Sequence, residues 1–371
     1  MPRTIGVVGA GQLARMMIGP AIELGFDLRV LAEAEGMSAA LAASAVGDYR
    51  DLDVVTEFAR GLDVVTFDHE HVPLEILRAL ECGGAKVHPT PDALLFAQNK
   101  LAMRERLGGL GLPMPSWAAV ASVGELSNFI DAHGGRAIVK TPKGGYDGKG
   151  VRVVSNGTEV ASWFDNGPVL AEELVGFRRE LSQMLARRPS GDIALWPVVE
   201  SIQQGGVCAE VIAPAPGASV RLSETAASIA TTIAEALGVT GVLAVELFQT
   251  NDDRLLINEL ALRPHNSGHW TIDGSVTSQF EQHLRAILDL PLGSTALRDR
   301  FSVMVNVLGG PRSGTVSDRY PAAFADHPEV KFHEYGKASR PGRKVGHVTA
   351  GGDELDEVIA RARAASLALT D

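Results

Sequence analysis

The sequence predicts a mixed α/β and α+β protein: an N-terminal doubly wound parallel sheet, an α+β middle, and a small C-terminal β-rich unit. Three observations carry this prediction. Over the first hundred residues, strand-like apolar runs alternate with helix-period segments, the pattern of a parallel sheet with helices on its faces. From Arg136 onward, short strands follow one another without long helices. With 371 residues, and roughly 100 to 200 residues per domain, the chain can enclose two or three cores.

In order, the first part reads as strand Thr4 to Val8, a helix from about Gln12 to Leu24, strand Leu28 to Leu31, a helix near Met37 to Ala43, and strand Val64 to Phe67. Lys86-Val87-His88 is a further short strand before Pro89. A helix spans about Asp92 to Leu107, after which Gly108, Gly109, Gly111, Pro113 and Pro115 mark a boundary. The middle holds strands Ala137 to Lys140, Val151 to Val154, Val169 to Leu174, Glu180 to Ala186 and Ile193 to Trp196, then a helix at about Ser219 to Leu237. Strands Val242 to Gln249 and Leu255 to Leu260 flank Asn251-Asp252-Asp253 and form a hairpin. Residues 301 to 349 read as a final β unit, and Glu354 to Leu369 as a closing amphipathic helix. No internal repeat or low-complexity segment is visible.

Composition excludes several classes. At 45% hydrophobic and 21% charged residues the chain is neither disordered, collagen-like nor a coiled coil. Its apolar runs are broken well short of the ~18 residues of a membrane helix, and Met1-Pro2-Arg3-Thr4 leads straight into a strand, so a cytoplasmic protein without a membrane partner is expected. Cys82 and Cys208 lack the paired spacing of a zinc or redox site, which fits a reducing compartment. A net charge of −11, from 34 basic and 45 acidic residues, disfavours a nucleic-acid partner. A phosphorylated substrate would need a local basic pocket.

Gly9-Ala10-Gly11-Gln12-Leu13-Ala14 sits between a strand and a helix, with Glu33 near the end of the next strand. Such a turn suits a dinucleotide, another anion, or simply the start of a helix. The stretch Lys140-Thr141-Pro142-Lys143-Gly144-Gly145-Tyr146-Asp147-Gly148-Lys149-Gly150 is more informative. It joins two strands, so it is not a Walker loop, which must precede a helix. Its glycines can fold backbone amides over a polyphosphate that its lysines neutralise. A flexible polar hairpin is the alternative, against which stands Lys140, a charge closing an apolar strand.

Glu172-Glu173-Leu174-Val175 ends one strand and Glu180 begins the next; together they could accept hydrogen bonds from a ribose and an adenine, or be plain surface charge. Glu246 interrupts an apolar strand. Pairing across the turn puts it opposite Asn258, or opposite Glu259 if the turn is one residue longer. Carboxylates converging there would suit Mg²⁺ that shares a nucleotide phosphate, or a structural hydrogen-bond network. Arg263-Pro264-His265-Asn266-Ser267-Gly268-His269-Trp270 follows directly, with two histidines and an arginine beside that candidate metal site. Last, Lys337, Arg340, Arg343 and Lys344 fall within eight residues, with no acidic residue between Tyr335 and Gly352. They suggest an anion site, or a sheet edge guarded by cations.

Taken together, the Gly-Lys hairpin loop, the pairing of Glu246 with Asn258-Glu259 and the basic run resemble the ATP-grasp enzymes, and more narrowly the N5-carboxyaminoimidazole ribonucleotide synthetase family of purine biosynthesis. The resemblance runs from Gly9 to about His347. Its most specific strings are Gly9-Ala10-Gly11-Gln12-Leu13, residues 144 to 150, Asn258-Glu259-Leu260-Ala261, residues 265 to 270 and residues 340 to 347. It implies an ATP-grasp fold with a pre-ATP-grasp domain over 1–98, an ATP-grasp region over 99–295 and a C-terminal unit over 296–371. The lid subdomain would span about 115–176 and the nucleotide and metal core about 177–295.

The same resemblance implies that ATP, bicarbonate and 5-aminoimidazole ribonucleotide react, with Mg²⁺, to give ADP, phosphate and the N5-carboxylated ribonucleotide, in a homodimer. Lys100 and Lys140 would touch the phosphates of ATP under residues Gly144, Gly145, Tyr146, Asp147, Gly148, Lys149 and Gly150. Glu172, Glu173, Leu174, Val175 and Glu180 would hold adenine and ribose. Glu246 and Glu259, with Asn258 beside them, would carry the metal. Gln12, Leu13, Glu70, His265, Asn266, Ser267 and the basic run Lys337, Arg340, Arg343 and Lys344 would line the ribonucleotide. Lys140, Tyr146, Asp147 and Arg263 would act on the reacting groups. Three departures from the family stand out: Lys100 where Arg is common, Gln203 where a nucleotide-contacting His is common, and Asp68-His69 at the start of the loop that carries Glu70. Other ATP-grasp ligases, such as a ribonucleotide formyltransferase or an amino-acid ligase, a nucleotide-binding module without turnover and, third, a dinucleotide dehydrogenase are the alternatives.

Overall fold

A computed structural model describes residues 2–144 and 150–370. Four short apolar segments form the N-terminal sheet, all parallel, in the order Ala43–Val46, Asp27–Ala32, Thr4–Val8, Val64–Phe67. Thr4–Val8 and Val64–Phe67 are almost wholly buried, as strands covered on both faces must be. Helix Gln12–Glu23 packs on one face.

Three expectations for this part change. No α-helix forms over 37–43; a single 3₁₀ turn, Ala40–Ala42, stands there. The backbone is engaged elsewhere, because Ala39 N donates to Ala10 O and the Ser38 hydroxyl donates to Tyr335 O. Lys86-Val87-His88 contributes only one bridge, Val87 to Val65, since Pro89 has no N–H to continue a ladder. The helix expected over 92–107 is two helices, Pro91–Gln98 and Lys100–Gly109. Between them Asn99 is extended at φ −132°, and its side chain accepts from Leu101 N and Ala102 N, capping the second helix.

The middle of the chain folds as two sheets. A small antiparallel sheet, in the order Trp117–Val120, Val169–Glu173, Ala137–Lys140, Val151–Val154, packs its inner face on helix Val123–Ala132. The larger sheet has nine antiparallel strands, with Gly241–Thr250 between Leu255–Ala261 and Phe177–Arg187. Helix Val220–Ala236 covers one of its faces.

The C-terminal strands do not make a sheet of their own. Phe301–Leu308 pairs with Val207–Ala213, and Lys344–Gly352 and Lys331–Glu334 extend the same ladder. This pairing satisfies an edge that would otherwise present a row of open backbone groups. The closing helix Leu355–Leu367 packs across these strands. Among the described residues no helix is long and apolar enough to cross a membrane.

Candidate active site

A cleft of about 1400 Å³ opens where the N-terminal sheet, the small sheet and the large sheet meet. Its floor is built by a β-bulge. Glu246 pairs with Glu259 and Leu247 with Ile257, so Asn258 is the extra residue. In a regular strand Asn258 and Glu259 would point to opposite faces, whereas the bulge leaves both half-buried at the cleft. Of the two registers open in the sequence, the one with Glu246 opposite Glu259 is the one formed.

Two lysines reach this floor from different elements. Lys100, the first residue of its helix, places its Nζ 2.6 Å from Glu259 Oε1. Lys140 ends its strand with Nζ 2.7 Å from Glu172 Oε2 and 3.1 Å from Asn258 Oδ1. The sequence places Glu172 among the nucleotide acceptors, but its oxygens are taken by Lys140 and by Arg104, at 2.7 and 2.5 Å. Burial pushes its carboxyl up, yet the Lys140 ammonium and the Arg104 guanidinium together hold it below its ordinary value.

The neighbouring Glu173 accepts from Ser116 N at 2.9 Å, and Leu174 and Val175 border the cleft beyond it. Glu180 faces the cleft near Glu246. Burial first, and the Glu246 charge second, push its carboxyl up to about 7.

Glu246 itself is steadied by His265. Nε2 of that ring lies 3.3 Å from Glu246 Oε1, and Asn258 Nδ2 donates to Oε2 at 3.4 Å. Burial raises this carboxyl, but the His265 hydrogen bond and the cations nearby outweigh it and leave the value lowered. Gln279, wholly buried, clamps the His265 backbone: its Oε1 accepts from His265 N and its Nε2 donates to His265 O. Arg263 lies 3.6 Å from Glu70, which also accepts from Leu262 N at 2.7 Å. The loop of the N-terminal sheet is thereby tied to the end of the strand that carries Asn258 and Glu259.

The facing wall comes from both ends of the chain. Gln12 Oε1 accepts from Lys337 Nζ at 2.7 Å, and Gln12 Nε2 donates to Asn266 Oδ1 at 3.4 Å. Leu13, Arg340, Arg343 and Lys344 line the same wall, with Arg343 donating to Ala338 O at 3.2 Å. The cations scattered over 337–344 do converge on the cleft.

Two site expectations do not hold. Ser267 is wholly buried, and its hydroxyl is shared between Ser182 and His265, so it braces His265 away from the cleft. Gly150 closes the hairpin, its carbonyl accepting from Thr141 N at 2.9 Å, and does not line the cleft, whereas Gly144 does. Gly145, Tyr146, Asp147, Gly148 and Lys149 lie outside the described residues.

The glycine turn after the first strand is already occupied. Asp68 accepts from Gly11 N at 2.9 Å and from Ala14 N at 2.7 Å, and Glu33 accepts from Ala10 N at 3.2 Å. A Cβ on Gly11 would sit 2.1 Å from Asp68 Oδ2, so this glycine serves the carboxylate. The amides that a dinucleotide phosphate would need are capped from within the chain.

Sequence reasoning missed Arg104. Its signal lay in spacing: with Met103 and Leu107 forming the buried face, Arg104 falls on that same face, where an arginine must find an anion.

Comparison with known proteins bears on the family and the fold. Residues 105–280 match the ATP-grasp domain, 2–98 the ribonucleotide synthetase preATP-grasp domain, and 302–361 the phosphoribosylaminoimidazole carboxylase C-terminal domain. A relative from Mycobacterium leprae, named N5-carboxyaminoimidazole ribonucleotide synthase, is 49% identical over 95% of this chain and 84% of its own length. The crystal structure of N5-carboxyaminoimidazole ribonucleotide synthetase from Thermus thermophilus is 38% identical, with a TM-score of 0.89 over 99% of both chains. That of the Aspergillus clavatus N5-carboxyaminoimidazole synthase, in complex with ADP and 5-aminoimidazole ribonucleotide, is 29% identical. It has a TM-score of 0.89 over 99% of this chain and 98% of that one.

Proposed function

The chain belongs to the N5-carboxyaminoimidazole ribonucleotide synthase family of ATP-grasp enzymes, and we propose that its cleft uses ATP to carboxylate 5-aminoimidazole ribonucleotide with bicarbonate, a step of purine biosynthesis. One observation carries the reading. Two lysines and two carboxylates converge around the bulge at Asn258, across from a wall of cations that the nucleotide-binding side does not need.

The floor fits Mg²⁺. Glu246, Glu259 and the Asn258 amide offer hard oxygen donors from adjacent strands. The ion would take its other ligands from phosphate and water. Bound there, Mg²⁺ would offset the charge that builds on phosphate oxygens.

Lys140 and Lys100 hold the β- and γ-phosphates, and adenine and ribose lie along Glu173, Leu174, Val175 and Glu180. A bicarbonate oxygen attacks the γ-phosphorus as the bond to ADP breaks, giving carboxyphosphate. Arg263, braced by Glu70, supplies positive charge beside that anion. The amino nitrogen of the ribonucleotide then bonds to the carboxyl carbon, phosphate leaves with the bridging oxygen, and the nitrogen loses a proton. Lys337, Arg340, Arg343 and Lys344 hold the 5′-phosphate, and Gln12, Leu13, Asn266 and Glu70 border the imidazole. Tyr146 and Asp147 keep the roles that the resemblance implies, over an intermediate that water would destroy. The homodimer likewise rests on resemblance, and the cytoplasmic location on the composition of the sequence.

ADP release, measured with bicarbonate or formate and with or without the ribonucleotide, tests this reading. Release that requires bicarbonate and the ribonucleotide together is expected. Release driven by formate, or no release under any combination, would contradict it.

A further inference from the structure

Three charged side chains meet in the seam where helix Lys100–Gly109, strand Val169–Glu173 and strand Leu255–Ala261 touch. The Arg104 side chain is fully enclosed, and Glu172 keeps only 3% of its side-chain surface. Arg104 Nε and Nη2 both lie 2.5 Å from Glu172 Oε1. Its Nη1 donates to Ile257 O at 2.9 Å and its Nη2 to Asn258 O at 2.7 Å, on the bulged strand. The other carboxylate oxygen holds Lys140, 2.7 Å away, and Lys140 in turn donates to the Asn258 side chain. Lys140 and Glu172 both border the cleft and Arg104 lies behind them; of the three, Lys140 keeps the most side-chain surface, 10% against 3% for Glu172.

Charge decides what this arrangement does. A buried Glu172 facing Lys140 alone would cancel the ammonium and leave the pair neutral toward a phosphate. With Arg104 behind the carboxylate, two cations share one anion, and one net positive charge remains beneath the nucleotide. The two carbonyl bonds matter as much, because they fix that charge against the backbone carrying Asn258 and Glu259. Arginine suits the task, since its planar fork can serve a carboxylate and two carbonyls at once.

We infer that Arg104 is a positioning residue for ATP: it neutralises Glu172 from behind, so that Lys140 keeps its charge for the phosphates and its place beside the strand of Asn258 and Glu259. The inference rests on the proposed reading of Lys140 as a phosphate contact. It departs from the reading of Glu172 as an acceptor for the nucleotide.

Direct calorimetric titration with ATP tests it without depending on the acceptor, while wild-type ADP release with bicarbonate and the ribonucleotide tests the reading beneath it. Arg104→Met should weaken ATP binding about tenfold or more, the scale of one charge-assisted hydrogen bond, and leave the KM for the ribonucleotide within about twofold. The Arg104→Met, Glu172→Gln double variant restores the charge balance and should recover ATP binding to within about threefold of wild type. Glu172→Gln alone should keep ATP binding within about threefold while kcat falls, because Lys140 loses its anchor.

A folded double variant that binds ATP no better than Arg104→Met would overturn the inference and make Arg104 a purely structural ion-pair partner. Unchanged ATP binding in Arg104→Met would do the same. Should Arg104→Met fail to fold, Glu172→Gln decides: a tenfold loss of ATP binding there would mean that the carboxylate itself meets the nucleotide.

Discussion

Arg343 and Lys344 sit on the cleft wall formed by the C-terminal segment, while Lys100 and Lys140 sit on its floor with Glu259 and Glu172 as their anions. Two cation sets on two walls suit two phosphorylated ligands. Arg343→Ala or Lys344→Ala should therefore raise the KM for the ribonucleotide about tenfold and leave that for ATP nearly unchanged, as losing a charge-assisted bond of roughly 1.5 to 3 kcal/mol implies. Initial rates with each substrate varied in turn would show it, and equal rises in both KM values would assign these cations to ATP. At this scale Lys140 was legible, since a charge closing an apolar strand must find partners, which it does in Glu172 and Asn258. Arg104 was not: one arginine in a helix gains meaning only once its face is known to be the buried one. The ion pairs of the Glu172 carboxylate were hidden for a related reason, because Arg104 lies sixty-eight residues away in sequence.

Two irregular elements deliver the floor residues, and both were partly legible. The break at Asn99 turns one expected helix into two and makes Lys100 the first residue of the second, its N bonded to Pro142 O at 2.9 Å in the Gly-Lys hairpin. Asparagine is a common cap, but one inside an apolar periodic run reads as an interior residue until its extended backbone is seen. Asn99→Ala removes the cap on Leu101 N and Ala102 N. It should cost about 0.5 to 2 kcal/mol of stability and raise the KM for ATP, whereas Asn99→Asp, which still caps, should retain both. Thermal unfolding and rates with ATP varied measure the two effects together. A destabilised Asn99→Ala with an unchanged KM for ATP would show that the break does not position Lys100. The bulge at Asn258 was legible only as two possible registers, since spacing across a hairpin does not reveal an extra residue.

Across the molecule, the N-terminal sheet is fastened to the large sheet by two imidazoles, His283 buried and His88 half-buried. His283 accepts from Val242 N at Nδ1, so its Nε2–H points at Thr66 Oγ1, 2.8 Å away, and His88 Nδ1 lies 2.7 Å from Thr240 Oγ1. Burial lowers the first to about 3 and the second, with help from Lys86, to about 4. Both folded values lie below the ordinary 6.5, so between them the unfolded chain binds more protons. Their contribution is complete above about pH 6.5 and is lost as pH falls toward about 4. Unfolding temperature should fall across that window, and His283→Gln should flatten the fall; an identical pH slope in the variant would contradict the assignment. The alternation of elements announced the parallel sheet, but not these fasteners, which depend on how the sheets dock. Nor did it announce that the C-terminal strands would join the large sheet, although the basic run between them was already legible as an anion site.

The central claim is that this cleft activates bicarbonate by phosphorylating it, and the fate of one oxygen atom tests it. With ¹⁸O-labelled bicarbonate, ATP and 5-aminoimidazole ribonucleotide, attack of a bicarbonate oxygen on the γ-phosphorus leaves that oxygen on phosphate once the carboxyl group has moved to nitrogen. Mass spectrometry of the inorganic phosphate should find one labelled oxygen per turnover. Unlabelled phosphate formed in step with the carboxylated product would contradict the account.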